Sequence, residues 1–179
     1  MTRLINWRLL PFFIFVVLVL FFWRGLSLDP QKLPSSKLGH PLPVFKLPVL
    51  GHESKTMTSD RLRGQVSLLN VWASWCAACV EEQVFLLQLA KEGIPLYGLN
   101  YKDNSDNALK WLAEWGNPYR LIAEDAKGRV AIDLGVYGAP ETFLIDNKGI
   151  IRYRHAGILD EATWKKEFLP RINQLKRQS

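Results

Sequence analysis

Metal ligands are scarce in this sequence. Of the nitrogen and sulfur ligands that zinc favours, the 179 residues hold two cysteines, Cys76 and Cys79, and three histidines, His40, His52 and His155. A zinc site built on the cysteine pair needs two further ligands, and no two histidines stand in an H-x(3–5)-H arrangement. No metal is expected. Val80 follows the second cysteine, where covalent haem attachment needs a histidine, and this removes that reading on its usual pattern. Charge of one sign is also in short supply. The formal net charge is +6, and Arg3, Arg8 and Arg24 carry half of it; the rest is too small and scattered for a nucleic-acid partner. Internal repeats and low-complexity blocks are missing as well.

One long apolar run is present. Leu9 to Trp23 reads LLPFFIFVVLVLFFW, uncharged and bounded by Arg8 and Arg24. Roughly 20 apolar residues span a bilayer, so the run is slightly short, but flanking arginines snorkel and Trp7 and Trp23 suit the two interfaces. A cleaved secretory signal has the same positive start and apolar middle. The following WRGLSLDPQ lacks a small-x-small cleavage site, which favours an uncleaved transmembrane anchor over residues 1–26. Arginines concentrated ahead of the run put the N-terminus in the cytoplasm and the rest of the chain across the membrane. Residues 27–43, rich in Pro, Ser and Lys, read as a tether. Residues 44–179 are one domain's worth of chain and can bury a core without disulfide staples.

Within that domain the pattern predicts an α/β fold. Phe45 to Thr58, broken at Gly51, suggests a short hairpin or an edge extension. VSLLNVWA (66–73) is an apolar run of strand length, as for a central strand covered on both faces. A helix follows from Ser74–Cys76, with Phe85, Leu86, Leu89 and Ala90 at helical spacing and Gly93 as its stop. IPLYGLNY (94–101) predicts a strand, and DNALKWLAEWG (106–116) a helix with Leu109, Leu112 and Ala113 inward. YRLIAED (119–125) holds a short strand and GRVAIDLGV (128–136) a short helix. Glu141–Ile145 and Ile150–His155 flank the turn Asp146-Asn147-Lys148-Gly149, a hairpin signal. A last helix covers 161–177, with Trp164, Phe168, Ile172 and Leu175 on one stripe.

The cysteine spacing has a chemical reading. A disulfide closing so small a loop removes little chain entropy, so a purely structural staple gains almost nothing. At a strand-to-helix junction the first sulfur meets free N–H groups and the helix dipole, which favour the thiolate. Cys76 is then the attacking group, and Cys79, one turn deeper, resolves the mixed disulfide. Trp75 either covers the sulfur or is a core aromatic. Glu82, three residues after Cys79, is either a proton carrier for the buried thiol or a solvated acid of the first turn. Pro140 stands directly before an apolar strand. It is either an ordinary trans loop residue or a cis turn that leaves the preceding backbone free to pair with a docked chain.

WASWCAAC, the strand before it and GAPETFLID together resemble the thioredoxin superfamily. More closely, VWASWCAACVEE, GLNYKD (98–103), GNPY (116–119), DLGVYGAPETFLID (133–146) and GIIRYRHAG (149–157) resemble the CcmG/DsbE family of cytochrome c biogenesis thiol-disulfide oxidoreductases. The likeness runs over residues 40–170. It implies a thioredoxin-like fold with a central mixed sheet flanked by helices and one inserted helix-strand unit, preceded by a single transmembrane helix. It further implies a protein-disulfide reductase in the periplasm, anchored in the inner membrane, whose redox group is the Cys76–Cys79 disulfide and which needs no other cofactor. The expected partners are apocytochrome c, or a maturation component that handles it, and a transmembrane thiol reductase as electron donor. By the same resemblance Pro140 is cis, Ala139 presents backbone to substrate beside Trp75, and Glu141 and Glu82 supply acidity near the cysteines. Ala77-Ala78 departs from the proline-containing dipeptide often found between the cysteines. The alternatives are a general periplasmic disulfide reductase or isomerase, and a non-redox module that binds apocytochrome.

Overall fold

The computed structural model describes residues 10–26 and 37–177, and the chain divides into two compact units, residues 1–34 and 35–179. In the first, the apolar run forms helix α1, Leu10–Leu26, whose large side chains are exposed in the isolated chain. No helix among the described residues is long and apolar enough to cross a membrane. The cytoplasmic N-terminus expected at 1–9 and the tether segment 27–36 lie outside the described residues.

The second unit is built on a seven-stranded mixed sheet. Its strands are β1 (Lys46–Val49), β2 (His52–Thr58), β3 (Ser67–Trp72), β4 (Leu96–Tyr101), β5 (Ile122–Asp125), β6 (Glu141–Ile145) and β7 (Ile151–Ala156). They lie in the order β2-β1-β5-β4-β3-β6-β7. β3, β4 and β5 are parallel, and β1, β6 and β7 join antiparallel to their neighbours. Between them run α2 (Ala77–Lys91), α3 (Ser105–Trp115), α4 (Arg129–Leu134) and a terminal helix, α5, over residues 161–177. Between α2 and Pro140 run β4, α3, β5 and α4, two strands and two helices, with α3-β5 as a helix-strand unit ahead of α4.

β3 is central, and all six of its residues are buried. Its period-2 alternation sorts the core. Leu68 and Trp72 face a cluster with Leu86 and Leu89 of α2, Trp111 and Leu112 of α3, and Trp164, Phe168 and Ile172 of α5. Leu69 and Val71 face the other cluster, with Met57, Leu62, Phe143 and α4's Leu134. Burying such a side chain contributes about 1.5–3 kcal/mol, so a one-residue slip of β3 would cost several of these terms together.

Two expectations change. Composition places residues 37–43 in the tether, yet Gly39 N–H donates to Ile151 O (2.8 Å), Leu42 N–H donates to Gly149 O (2.9 Å), and Leu42 is buried. The domain therefore starts near residue 37, because backbone pairing along β7 outweighs the linker-like composition. On α3 the buried face is Ala108, Trp111 and Leu112, whereas Leu109 is 41% exposed and Ala113 is also exposed. The face is set by Trp111, whose ring packs 4.9 Å from that of Trp72. In α5 a wide π turn at Trp164–Phe168 precedes Pro170, with Leu169 N–H donating to Trp164 O. Proline has no N–H and crowds the preceding turn, and the wider turn relieves that crowding.

Gly98 of β4 marks a close backbone approach in the aromatic layer of the core. A Cβ there would stand 2.9 Å from Trp72 Nε1, 3.1 Å from Tyr119 Cγ and 3.2 Å from Ile122 Cγ1. Gly98→Ala is expected to destabilise the domain by about 1–3 kcal/mol through overpacking. The check is the urea midpoint of the oxidised chain; an unchanged midpoint would show that the aromatic layer has room to yield.

Candidate functional site

β3 ends at Trp72 and the chain turns over residues 73–75, Cys76 N–H donating to Ala73 O (3.2 Å). Cys76 then takes extended backbone (φ −92°, ψ 104°) and caps α2, and its Sγ accepts from the Cys79 N–H at 3.1 Å. The same N–H also donates to Cys76 O (3.2 Å), so the sulfur shares a first-turn donor, the arrangement that stabilises a thiolate at a helix N-terminus. Cys76 and Cys79 form a disulfide. Cys76 is 5% exposed and Cys79 1%, so an incoming sulfur reaches Cys76 first.

The loop before the disulfide is gripped from β4's end. The Asp103 carboxylate accepts from Ser74 N–H (2.6 Å), Ser74 Oγ (2.7 Å), Asn100 Nδ2 (2.9 Å) and Asn104 N–H (2.8 Å). Next to it Lys102 adopts left-handed backbone at φ 46°, and its carbonyl accepts from Trp75 Nε1 at 3.0 Å. Trp75 is 56% exposed. It is no core aromatic: its indole N–H is anchored while much of the ring faces outward.

One helical turn beyond Cys79 on α2, Glu82 joins a buried polar cluster. Glu82 Oε1 accepts from Asn70 Nδ2 (2.8 Å) and Oε2 from Leu159 N–H (2.9 Å). Asn70 Nδ2 also donates to Thr142 Oγ1 (3.0 Å), and Asn70 Oδ1 accepts from the Tyr119 hydroxyl (2.7 Å). Glu82 is almost wholly buried, so it is not a solvated acid. Burial pushes its pKa up from 4.5 to about 7, against the pull of the two hydrogen bonds from Leu159 and Asn70. Burial, and then the charge of Glu82, push Tyr119 well above its ordinary value.

The Ala139–Pro140 peptide is cis, and Ala139 packs against the cluster that contains both cysteines. Glu141 behaves differently from the expectation. Strand alternation turns it away from Thr142, onto the face with Phe143, where Arg154 Nε (2.7 Å) and Nη2 (3.0 Å) and the Tyr137 N–H (2.9 Å) occupy its carboxylate. The Arg154 guanidinium lies 5.0 Å from the centre of the Tyr137 ring, which is 74% exposed. Glu141 therefore holds the Tyr137–Pro140 loop and supplies no free acid to the cysteines. Among the described residues no group of His, Cys, Asp and Glu is arranged to hold a metal.

The Redoxin family model matches residues 37–167. The thiol:disulfide interchange protein DsbE of Pseudomonas fluorescens biotype C is 48% identical over 165 residues, 92% of each chain. That of Escherichia coli K12 is 50% identical over 143 residues, 79% of this chain and 77% of the other. This chain belongs to the DsbE family of thiol:disulfide interchange proteins. It is a thiol-disulfide oxidoreductase with a thioredoxin-like fold. A crystal structure of a putative DsbE from Chlorobium tepidum superposes with a TM-score of 0.59 at 28% identity, covering 76% of this chain and 95% of that one.

Several groups of this DsbE-family site receive no role from the motifs that contain or flank them: Asn70, Tyr119, Thr142 and Arg154, and also Lys102 and Asp103, which stand at a strand's end where sites often form. One signal was available. Asn70 is an amide in the middle of VSLLNVWA, and a polar residue inside a doubly covered strand requires a buried partner.

Because Glu82 has a folded-state pKa of about 7 against 4.5 for the free side chain, its contribution is fully present below pH 4.5. It is lost as pH rises through 7, by about 3 kcal/mol. Urea midpoints of oxidised wild type and Glu82→Gln at several pH values test this. The wild type should lose stability relative to the variant across the window; parallel curves would contradict the placement of the buried acid.

Proposed function

We propose that this protein is a periplasmic reductant of the disulfide in apocytochrome c, or in a component that handles it, held to the inner membrane by its N-terminal apolar run. The observation that carries the exchange chemistry is Glu82, buried one helical turn beyond the resolving cysteine; the reducing direction is supported by the resemblance to the CcmG/DsbE family. A reductant must take the proton from Cys79 in every turnover, and this sulfur is 1% exposed, where water is a poor acceptor. A carboxylate whose pKa is about 7 is a base matched to that task near neutral pH.

The dithiol form starts the cycle. The Cys76 thiolate attacks one sulfur of the target disulfide; the Cys76–target bond forms, and the other target sulfur leaves as a thiolate. The Cys79 thiol gives its proton to Glu82, and the resulting thiolate attacks Cys76 Sγ. The Cys76–Cys79 bond forms, and the second target sulfur leaves with the electron pair. The target has gained two electrons and the protein has lost them. Glu82 returns its proton to a target thiolate or to water. A membrane thiol reductase then restores the pair, since the compartment around it is oxidising.

The substrate assignment is supported by the resemblance of GLNYKD, GNPY and GVYGAPETF to the CcmG/DsbE family. Exposed Trp75 and Tyr137 and the backbone at Ala139 offer an extended chain a surface beside Cys76. The anchor is supported by the uncharged apolar run between Arg8 and Arg24 in the sequence.

In cells making c-type cytochromes, a Cys79→Ser variant should accumulate a mixed disulfide through Cys76 that stays with membranes after alkaline carbonate extraction, and Cys76→Ser should trap nothing. Capture of a C-x-x-C-H polypeptide or its handling factor is the expected outcome. Recovery of unrelated periplasmic proteins alone would replace the reading with a general reductase, and a chain released by carbonate would refute the anchor.

A further inference from the structure

We propose that Tyr119 and Asn70 are positioning residues of the exchange reaction: the Tyr119 hydroxyl holds the Asn70 amide with its nitrogen toward Glu82, and so sets how readily that carboxylate takes the proton of Cys79. The inference rests on the reading of Glu82 as proton acceptor given above.

The argument begins with what an amide can do. Asn70 has two N–H bonds and one carbonyl oxygen, and all are used: Nδ2 donates to Glu82 Oε1 (2.8 Å) and Thr142 Oγ1 (3.0 Å), and Oδ1 accepts from Tyr119 (2.7 Å). Reversed end for end, the amide would turn its oxygen toward Glu82, which must then carry a proton to make a hydrogen bond. The two orientations therefore select opposite charge states of Glu82. The donor on the other side decides between them. As long as Tyr119 donates, the amide oxygen is held away from Glu82 and the nitrogen solvates the carboxylate.

Tyr119 is fixed for that purpose. Its N–H donates to Asn117 Oδ1 (2.9 Å), closing the turn after α3, and its buried ring stacks on Trp72 with centroids 5.7 Å apart and planes 15° apart. Its raised pKa keeps the hydroxyl protonated, hence a donor, throughout the range in which Glu82 titrates. Tyr119, from the turn before β5, is the titratable group that feels the charge of Glu82, and Cys79, held in the disulfide, stands three residues earlier on α2. β3 presents an amide, β6 a hydroxyl through that amide, and the segment before α5 a backbone N–H.

The test uses the full-length oxidised chain in detergent micelles, with the Glu82 carboxyl carbon followed by 13C NMR and assigned by its loss in Glu82→Gln. Tyr119→Phe keeps the stacked ring and removes the donor. Its Glu82 midpoint should move up by about one pH unit, the worth of one hydrogen bond, and the pH profile of mixed-disulfide resolution should move with it. Asn70→Asp, which replaces the donor with a second acid, should move it further. An unchanged or lowered midpoint in folded Tyr119→Phe overturns the proposal; if that variant does not fold, Asn70→Asp decides by the same criterion. An unmoved midpoint with a resolution profile that still depends on Glu82 defeats the positioning role alone. A profile indifferent to Glu82→Gln defeats the proton-acceptor reading and the proposal with it, whatever the midpoint does.

Discussion

A carboxylate sealed under a disulfide has to be solvated by the protein itself, and the amide of Asn70 does much of that work here. It joins four parts of the domain at one point: β3, which carries it; α2, through Glu82; β6, through Thr142; and the turn before β5, through Tyr119. Leaving one such buried group unpaired costs about 1–3 kcal/mol, a large share of a domain stability of about 5–15 kcal/mol. The register between β3 and β6, which sets Asn70 opposite Thr142, is therefore fixed by the polar cluster as well as by the apolar alternation around it. The same cluster places a titrating acid one helical turn beyond the resolving cysteine.

The sheet divides the site's two acids by task. Glu82 faces the helices and is hydrogen-bonded but unpaired with any cation, so burial raises its proton affinity. Glu141, on the other face, is matched by Arg154 in a forked pair and holds the loop that ends in Pro140. Two carboxylates near one disulfide thus have different chemistry because adjacent partners on the strands differ. Outside the core, the active-site loop is braced by Asp103 and Lys102. The end of β5 and the turn after it support that brace: Lys102 N–H donates to Asp125 O (3.1 Å), and a Cβ on Gly128, at φ +67°, would meet Lys102 Cε at 2.5 Å. Glycine is needed there both for its backbone and for its lack of a side chain.

Local chemistry made much of this legible in advance. The strand-to-helix junction at Cys76, the hairpin turn at residues 146–149 and the buried run of β3 follow from periodicity and turn chemistry, which act over a few residues. α3 was misphased where its leucines suggested one face and a tryptophan stack fixed another. Residues 37–43 looked like linker because composition reports nothing of a strand edge waiting to be paired.

By itself the sequence determined the cysteine pair, the order of strands and helices and the family to which they belong, since these rest on spacing along the chain. Only the tertiary structure decided that Glu82 is buried and Glu141 neutralised, and that Asn70, Tyr119 and Thr142 meet. Tyr119 lies 49 residues from Asn70 and Leu159 lies 77 from Glu82. A side chain's proton affinity depends on what surrounds it in space, and those neighbours come from strands and turns far apart in the chain.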